Sequence, residues 1–341
     1  MKHLRLLTLG LALIVTAITA ACGGSDATTP SSSASSTATA GPTDMRFVFD
    51  WPTVDFMIVP IVVAEEQGYF KEAGLNVSVI FPPDTATATK VLGTGGGDIG
   101  IITTTDMMAA VTQNIPVLSV GNYTTSNNWG LFSKPGTTVS IDTLKGKTIS
   151  GFGDTWTNAM LPFVLKTAGL TDKDVKIVTV GNDTPLLLAG KVDLSTNTTN
   201  YLPPAVFDKT GKEPGVLLAR DAGAPDVPIW VYAGNKDFLS AHADATTALM
   251  AALAKATEWA IANPDEAVAA YQKAYPDNGS TTKYNTAGWT DTAKYMKNAD
   301  GKLFVQTDEQ WTQLGDALIG IGELDKVAPA SSYYSNEYLP Q

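Results

Sequence analysis

The chain has 341 residues, 23 Lys and Arg against 34 Asp and Glu, a formal charge of −11 and one cysteine. An acidic surface of this kind repels nucleic acid, and a lone cysteine excludes intramolecular disulfides and thiolate-cluster metal sites. Arginine is scarce: beyond Arg5 there are Arg46 and Arg220.

The start reads as a leader spanning residues 1–21. Lys2 and Arg5 are basic, and Leu6–Ile18 is apolar but short of the ~20 residues a spanning helix needs. Thr19-Ala20-Ala21-Cys22 has the form of a lipobox, so Cys22 is the expected site of cleavage and lipidation. An ordinary secretory signal with a chance cysteine is the alternative. Loss of the leader removes Lys2 and Arg5 and takes the charge from −11 to −13. Residues 22–44 are then the acylated Cys22 and a disordered Gly/Ser/Thr/Ala/Pro tether with a reach of about 26 Å. Residues 45–341 suffice for two domains of ordinary size.

Phe47–Phe49 is a short apolar run that stops at Asp50-Trp51-Pro52. A helical pattern to Phe70, Gly74, and a strand over Val77–Phe81 follow. A further helix leads to Gly95-Gly96-Gly97 and the strand Ile99–Ile102. These glycines precede a strand, whereas a phosphate-binding loop follows one. Parallel sheets place ligands at the carboxyl ends of their strands. The loops at Asp50-Trp51, Pro83-Asp84 and Thr103–Asp106 are therefore expected to converge.

Past Asp106, a helix over Met107–Asn114 leads to the strand Val117–Val120. Tyr123–Trp129 is a polar, aromatic loop, and Gly130–Ser133 is a short strand before Lys134-Pro135-Gly136, where the chain crosses to a second lobe. Strands follow over Thr148–Gly151, Val175–Val180, Val192–Ser195 and Val216–Ala219. A helix runs from the Asp154-Thr155 cap to Thr167, and another spans Pro185–Ala189. Ile229–Tyr232 brings the chain back. Asp237–Ala274 is helical with a restart at Asn263-Pro264. Asp308–Gly322 is amphipathic through Trp311, Leu314, Leu318 and Ile321.

Ala64–Leu75 (AEEQGYFKEAGL), Gly97–Gly100, Ile115–Val117, Leu144–Lys147, Ala260–Ala267 and Tyr334–Pro340 form an ordered set. In that set the chain resembles the substrate-binding lipoproteins of bacterial ABC importers. The group includes the thiamine-pyrimidine-precursor, sulfonate, nitrate and taurine binders. Phe49-Asp50-Trp51, Ser150–Asp154 and Asn158–Leu161 look most like the pyrimidine-precursor branch. Pro52–Met57 departs from that branch, which carries a longer polar stretch there, and so does Asn197–Tyr201, where the branch is acidic and aromatic. The resemblance implies an α/β, two-lobed, type II periplasmic-binding-protein fold, each lobe a mostly parallel sheet flanked by helices. The lobes are expected over 45–132 with 233–341, and over 133–232. It further implies a monomer, lipid-anchored outside the cytoplasm, that closes on a small molecule and presents it to a permease with a cytoplasmic ATPase. No cofactor and no metal are implied.

Candidate ligand contacts follow from loop position. Trp51 can stack on a planar ligand, or pack as a core aromatic. Asp84 is a cap or a contact. Thr103, Thr104, Thr105 and Asp106 offer hydroxyls and a helix N-terminus. Trp129 precedes the crossing. Gly153, Asp154, Thr155, Trp156 and Asn158 form the second lobe's counterpart, and Asn197, Asn200 and Tyr201 add amides and a phenol. Trp230 and Tyr232 share one face of a strand and are expected in the core, with Trp230 a weaker candidate.

Strong anion sites use bidentate arginine, yet Arg46 and Arg220 lie away from these loops while Asp50, Asp55, Asp84, Asp106, Asp154 and Asp183 lie at or near them. A planar, neutral or amine-bearing ligand is expected. A sulfonate, nitrate, taurine or aromatic acid is the alternative. The same family includes pyrimidine-precursor synthases that consume their own His and Lys. This chemistry needs a histidine in the cleft, and His242 falls on a helical stretch past the second crossing, so a binder is expected and an enzyme is not.

Overall fold

The computed structural model describes residues 41–340; the leader, Cys22 and the tether through residue 40 lie outside the described residues. In chain order the first half runs β1 (Thr43–Val48), α1 (Val59–Glu66), α2 (Tyr69–Glu72), β2 (Leu75–Ile80), α3 (Thr85–Gly93), β3 (Ile99–Thr103), α4 (Thr104–Thr112) and β4 (Val117–Asn122). Then come β5 (Trp129–Ser133), β6 (Thr148–Gly151), α5 (Thr155–Thr167), β7 (Lys176–Thr179), α6 (Thr184–Leu188), β8 (Leu194–Thr198), α7 (Leu202–Thr210) and β9 (Gly215–Leu218). The chain finishes with β10 (Trp230–Asn235), α8 (Lys236–Ala241), α9 (Ala243–Ala262), α10 (Pro264–Ala274), α11 (Thr282–Ala293) and α12 (Asp308–Gly320).

Among the described residues ten strands make two five-stranded sheets, ordered β2-β1-β3-β10-β4 and β7-β6-β8-β5-β9. β1, β2 and β3 are parallel, as are β6, β7 and β8. Each sheet also takes one antiparallel strand from across the molecule: β10 lies between β3 and β4, and β5 between β8 and β9. The sequence reading put Gly130–Phe132 in the first lobe and the crossing at Lys134-Pro135-Gly136. The crossing instead precedes β5, within residues 123–128. The return likewise precedes β10. Five consecutive buried residues, Trp129–Ser133, are what a central strand shows; hydrophobicity alone does not say in which sheet.

Local chemistry explains the parallel units. Gly100 in β3 admits no side chain, because a Cβ there would sit 2.2 Å from the Val48 carbonyl oxygen of β1. Asp84, Thr103 and Asp154 cap α3, α4 and α5, each accepting from a backbone N–H three residues on. Two helices were not expected from the sequence, α7 and α11. The long helical stretch also breaks at His242 as well as at Asn263. The core runs across both sheets and their helices and includes Phe47, Phe49, Phe56, Trp289 and Trp311.

Candidate ligand-binding cleft

The carboxyl ends of β1, β3, β6 and β8 meet between the two sheets. From the first sheet come Asp50-Trp51 after β1 and Thr103–Asp106 at the β3–α4 junction. From the second come Gly153–Trp156 at the start of α5 and Asn197–Tyr201 at the end of β8. The first turns of α4 and α5 touch: the Thr105 and Thr155 hydroxyls are 2.9 Å apart, and Thr155 donates to Asp106 Oδ1 at 2.9 Å. Thr103 donates to Asp106 Oδ2 at 2.8 Å. A carboxylate in a helix's first turn faces the positive end of its dipole, so Asp106 and Asp154 are each favoured by their own helix.

Burial raises the cleft carboxyls. Asp50 is 1% exposed. Loss of hydration, with repulsion from Asp106, holds its carboxyl well above the ordinary carboxylate value. The Trp230 side chain offsets part of this, and Asp154 adds to it. Its Oδ1 has no hydrogen-bond partner. Burial also raises the Asp106 carboxyl, against the hydrogen bonds from Thr103 and Thr155.

Beside these groups stands an aromatic corner. Trp51 lies 4.5 Å from Phe49, 6.0 Å from Trp230 and 6.2 Å from Tyr201 between ring centres. Asp55 holds it in place: Oδ2 accepts from Trp51 Nε1 at 2.7 Å and from the Tyr201 hydroxyl at 2.8 Å, and Oδ1 from the Met57 amide at 2.9 Å. Burial pushes the Asp55 carboxyl up to about 6, and these three donors oppose the shift. The Tyr201 bond spans the lobes. Two more do so nearby, Thr199 to Asp291 at 2.5 Å and Asn200 to Thr292 at 3.0 Å.

The expected residues therefore divide. Trp51, Thr103, Thr105, Asp106, Thr155, Asn200 and Tyr201 come together across the cleft, and Asp154 caps the helix that brings Thr155 there. Thr104 turns away, donating to the Pro228 carbonyl at 2.7 Å in the return crossing. Asp84 is an exposed cap whose hydrogen bonds, from the Thr87 amide and hydroxyl, lower its carboxyl. Asn158 is exposed. Gly153 is exposed too, with a φ of +72° that suits glycine. Asn197 belongs to β8 and donates to buried Asp183 at 2.9 Å. Trp129 and Trp156 are 3% and 2% exposed in the core, but the Trp156 indole N–H has no partner. Trp230, the weaker candidate, joins this group, and so do Asp50 and Asp55, which the sequence marked only as acidic residues at or near the loops. An acidic residue directly after an apolar strand was the available signal for Asp50; nothing local marked Asp55.

The arginines are engaged elsewhere. Arg46 lies in β1 and grips both oxygens of Asp98, at 2.6 and 3.0 Å. Arg220 ties the crossings together, donating to Ser126 Oγ at 2.7 Å and the Asn127 carbonyl at 3.2 Å. His242 is exposed between α8 and α9, stacked 4.5 Å from Phe238. Among the described residues no helix is long and apolar enough to cross a membrane, and no three His, Cys, Asp or Glu are grouped to hold a metal ion.

Comparison with known proteins agrees with this architecture. A family model described as NMT1/THI5 like matches residues 55–267. A Haemophilus influenzae protein named for thiamine biosynthesis is 28% identical over 265 residues, 75% of this chain and 82% of that protein. The 4-amino-5-hydroxymethyl-2-methylpyrimidine phosphate synthase of Aspergillus parasiticus is 25% identical over 309 residues, 86% of this chain and 87% of its own. In structure the chain is similar to the periplasmic aliphatic sulphonate binding protein SsuA from Escherichia coli. The TM-score is 0.65 at 14% identity, covering 86% of this chain and 92% of that one. This likeness carries the fold: two sheets flanked by helices, as in periplasmic binding proteins.

Proposed function

The chain belongs to the NMT1/THI5-like family, and on that premise we propose that it is the solute-binding lipoprotein of an ABC importer. It captures a small planar heterocycle of the pyrimidine class between its lobes and delivers it to a permease. In this reading the chain is anchored through Cys22 on the outer face of the cell membrane and works as a monomer. The chain passes between the lobes within residues 123–128 and again just before β10, so that β5 belongs to the second lobe and β10 to the first.

The observation that carries the reading is the meeting of α4 and α5 at their first turns, Thr105 against Thr155 and Thr155 on Asp106. Loops from the carboxyl ends of two sheets then close on each other, where an α/β sheet takes its ligand. The aromatic corner of Trp51, Trp230 and Tyr201 favours a flat ligand. The engagement of Arg46 and Arg220 elsewhere argues against an oxyanion. Relatives named for thiamine biosynthesis and for a pyrimidine phosphate synthase agree with a pyrimidine.

The synthase names also support a second reading, an enzyme making such a pyrimidine. Against it stands His242, exposed between α8 and α9 and stacked on Phe238. One experiment separates the readings. The purified protein is screened by thermal shift with aminopyrimidines, taurine, alkanesulfonates and nitrate, with product formation followed in parallel. A pyrimidine at 100 times its dissociation constant adds about 2.7 kcal/mol of stability, with no product. Stabilisation by sulfonate or nitrate alone would overturn the ligand class, and a product lost in His242→Ala would overturn the binder.

A further inference from the structure

Two stretches in which the sequence departs from the pyrimidine-precursor branch, Pro52–Met57 and Asn197–Tyr201, meet in the structure, one from each lobe. The Tyr201 hydroxyl donates to Asp55 Oδ2 at 2.8 Å, and its ring centre lies 4.9 Å from that of Phe56. The Asn200 amide reaches Met57 Sδ at 3.4 Å and Thr292 Oγ1 at 3.0 Å, and Thr199 donates to Asp291 at 2.5 Å. Among the described residues no ion pair reaches Asp55. The titratable groups that face it are four phenols: Tyr123 after β4, Tyr201 before α7, Tyr271 in α10 and Tyr284 in α11. All are held above their ordinary value and so stay neutral. A carboxylate enclosed by uncharged groups is disfavoured as an anion. Its three donors differ in one respect. Trp51 Nε1 and the Met57 amide can only donate, whereas the Tyr201 hydroxyl can also accept. Tyr201, the partner from the other lobe, is therefore the one that keeps its bond when Asp55 gains a proton.

We propose that Asp55 and Tyr201 form a proton-coupled latch, which draws the lobes together as Asp55 takes a proton from solvent and lets them part as the proton returns. This rests on the two-lobed clamp of the proposed function and adds its regulation by pH. The sign follows from the two states. With the lobes closed, burial holds the carboxyl at about 6, against an ordinary value of 3.8. With the lobes apart, Tyr201 is gone, water reaches the carboxyl, and it falls back towards the ordinary value. Closing therefore takes up a proton between these values. Its contribution to closure is complete below about pH 4 and is lost as the pH rises through about 6. Between about pH 8 and about pH 5 the closing equilibrium shifts by about tenfold. Burial raises Asp50 and Asp106 in the same direction, so the test isolates Asp55.

The test follows the radius of gyration of the ligand-free protein by small-angle scattering at about pH 5 and about pH 8, for wild type, Asp55→Asn and Tyr201→Phe. Wild type is expected to be more compact at the lower pH. Asp55→Asn keeps the shape of the side chain and does not ionise, and is expected to lose most of that difference. Tyr201→Phe keeps the ring and loses the bridge, and is expected to hold the larger radius at both pH values. A wild-type radius independent of pH overturns the latch. So does a difference that persists unchanged in Asp55→Asn, which would assign it to Asp50 or Asp106, and so does a Tyr201→Phe protein that compacts as wild type does. If Asp55→Asn does not fold, the other two proteins decide. A second measurement separates the latch from the proposed function. Affinity for 4-amino-5-hydroxymethyl-2-methylpyrimidine, read by calorimetry at the same two pH values, is expected to gain about tenfold more in wild type than in Asp55→Asn on going to the lower pH. Equal gains overturn the latch. No binding of the pyrimidine overturns the proposed ligand, and the scattering alone then decides the latch.

Discussion

At the scale of single residues, the cleft holds two carboxyls in opposite situations. Asp50 has an empty oxygen, whereas Asp55 is fully supplied by Trp51, Tyr201 and the Met57 amide. Asp55 carries a pH dependence whose sign is fixed. Its ordinary value is 3.8 and its folded value about 6. Between these, the unfolded chain has released the proton that the folded chain still holds. Stability from this group is complete below about pH 4 and is lost as the pH rises towards 6, with a slope of up to about 1.4 kcal/mol per pH unit. In Asp55→Asn, urea melts between pH 4 and 6 are expected to lose that share of the slope; parallel curves for the two proteins would rule the effect out. Neither role was visible in the sequence. Asp50 and Asp55 differ only by five positions, and what separates them is Tyr201, some 150 residues away, arriving from the other lobe.

At the scale of elements, strands and capped helices were legible, and two helices were not. β6 and α5 fall where expected because Gly153 and Asp154 punctuate them and the apolar period changes there. α11 reads TKYNTAGWTDTA, rich in Thr with one Asn and a central glycine, which are weak helix formers. It holds because others grip it: Trp289 Nε1 donates to the Ala260 carbonyl at 3.0 Å, and Gly288 lies flat against Phe56. A Cβ at Gly288 would come 2.4 Å from the Phe56 ring. Gly288→Ala, which raises helix propensity, is nevertheless expected to destabilise the protein by about 1–3 kcal/mol through overpacking. A denaturant midpoint at or above wild type would show that the contact yields. The same misreading of context put β5 in the first lobe. Its apolar run was recognised, but which sheet it enters depends on β8 and β9.

At the scale of the whole molecule, the lobes are held by two sets of bonds. Thr155 reaches Asp106 and Thr105 near one end of the cleft, and Tyr201, Thr199 and Asn200 reach Asp55, Asp291 and Thr292 at the other. The crossings are joined separately, Asp226 accepting from Ser126 and from the Asn127 amide at 2.6 and 2.8 Å. Cross-lobe bonds of this number are worth on the order of 1 kcal/mol each, so the closed arrangement is readily shifted. Thr155→Val combined with Tyr201→Phe is expected to open the ligand-free protein, raising the radius of gyration in small-angle scattering, while each lobe keeps its secondary structure. An unchanged radius would mean that the hinge alone sets the closure.

The sequence by itself determined the α/β alternation, the capped helix starts at the strand ends, the scarcity of arginine and the acidic loops. These rest on local rules: period, capping and composition act over a few residues. Tertiary structure decided which loop residues face one another, that Thr104 serves the crossing and Trp129 the core, and that among the cleft carboxyls Asp50 is the one left with an empty oxygen. Those outcomes depend on partners brought together from 50 to 150 residues apart, and a hydrogen bond that is missing can be recognised only after all the others have been made.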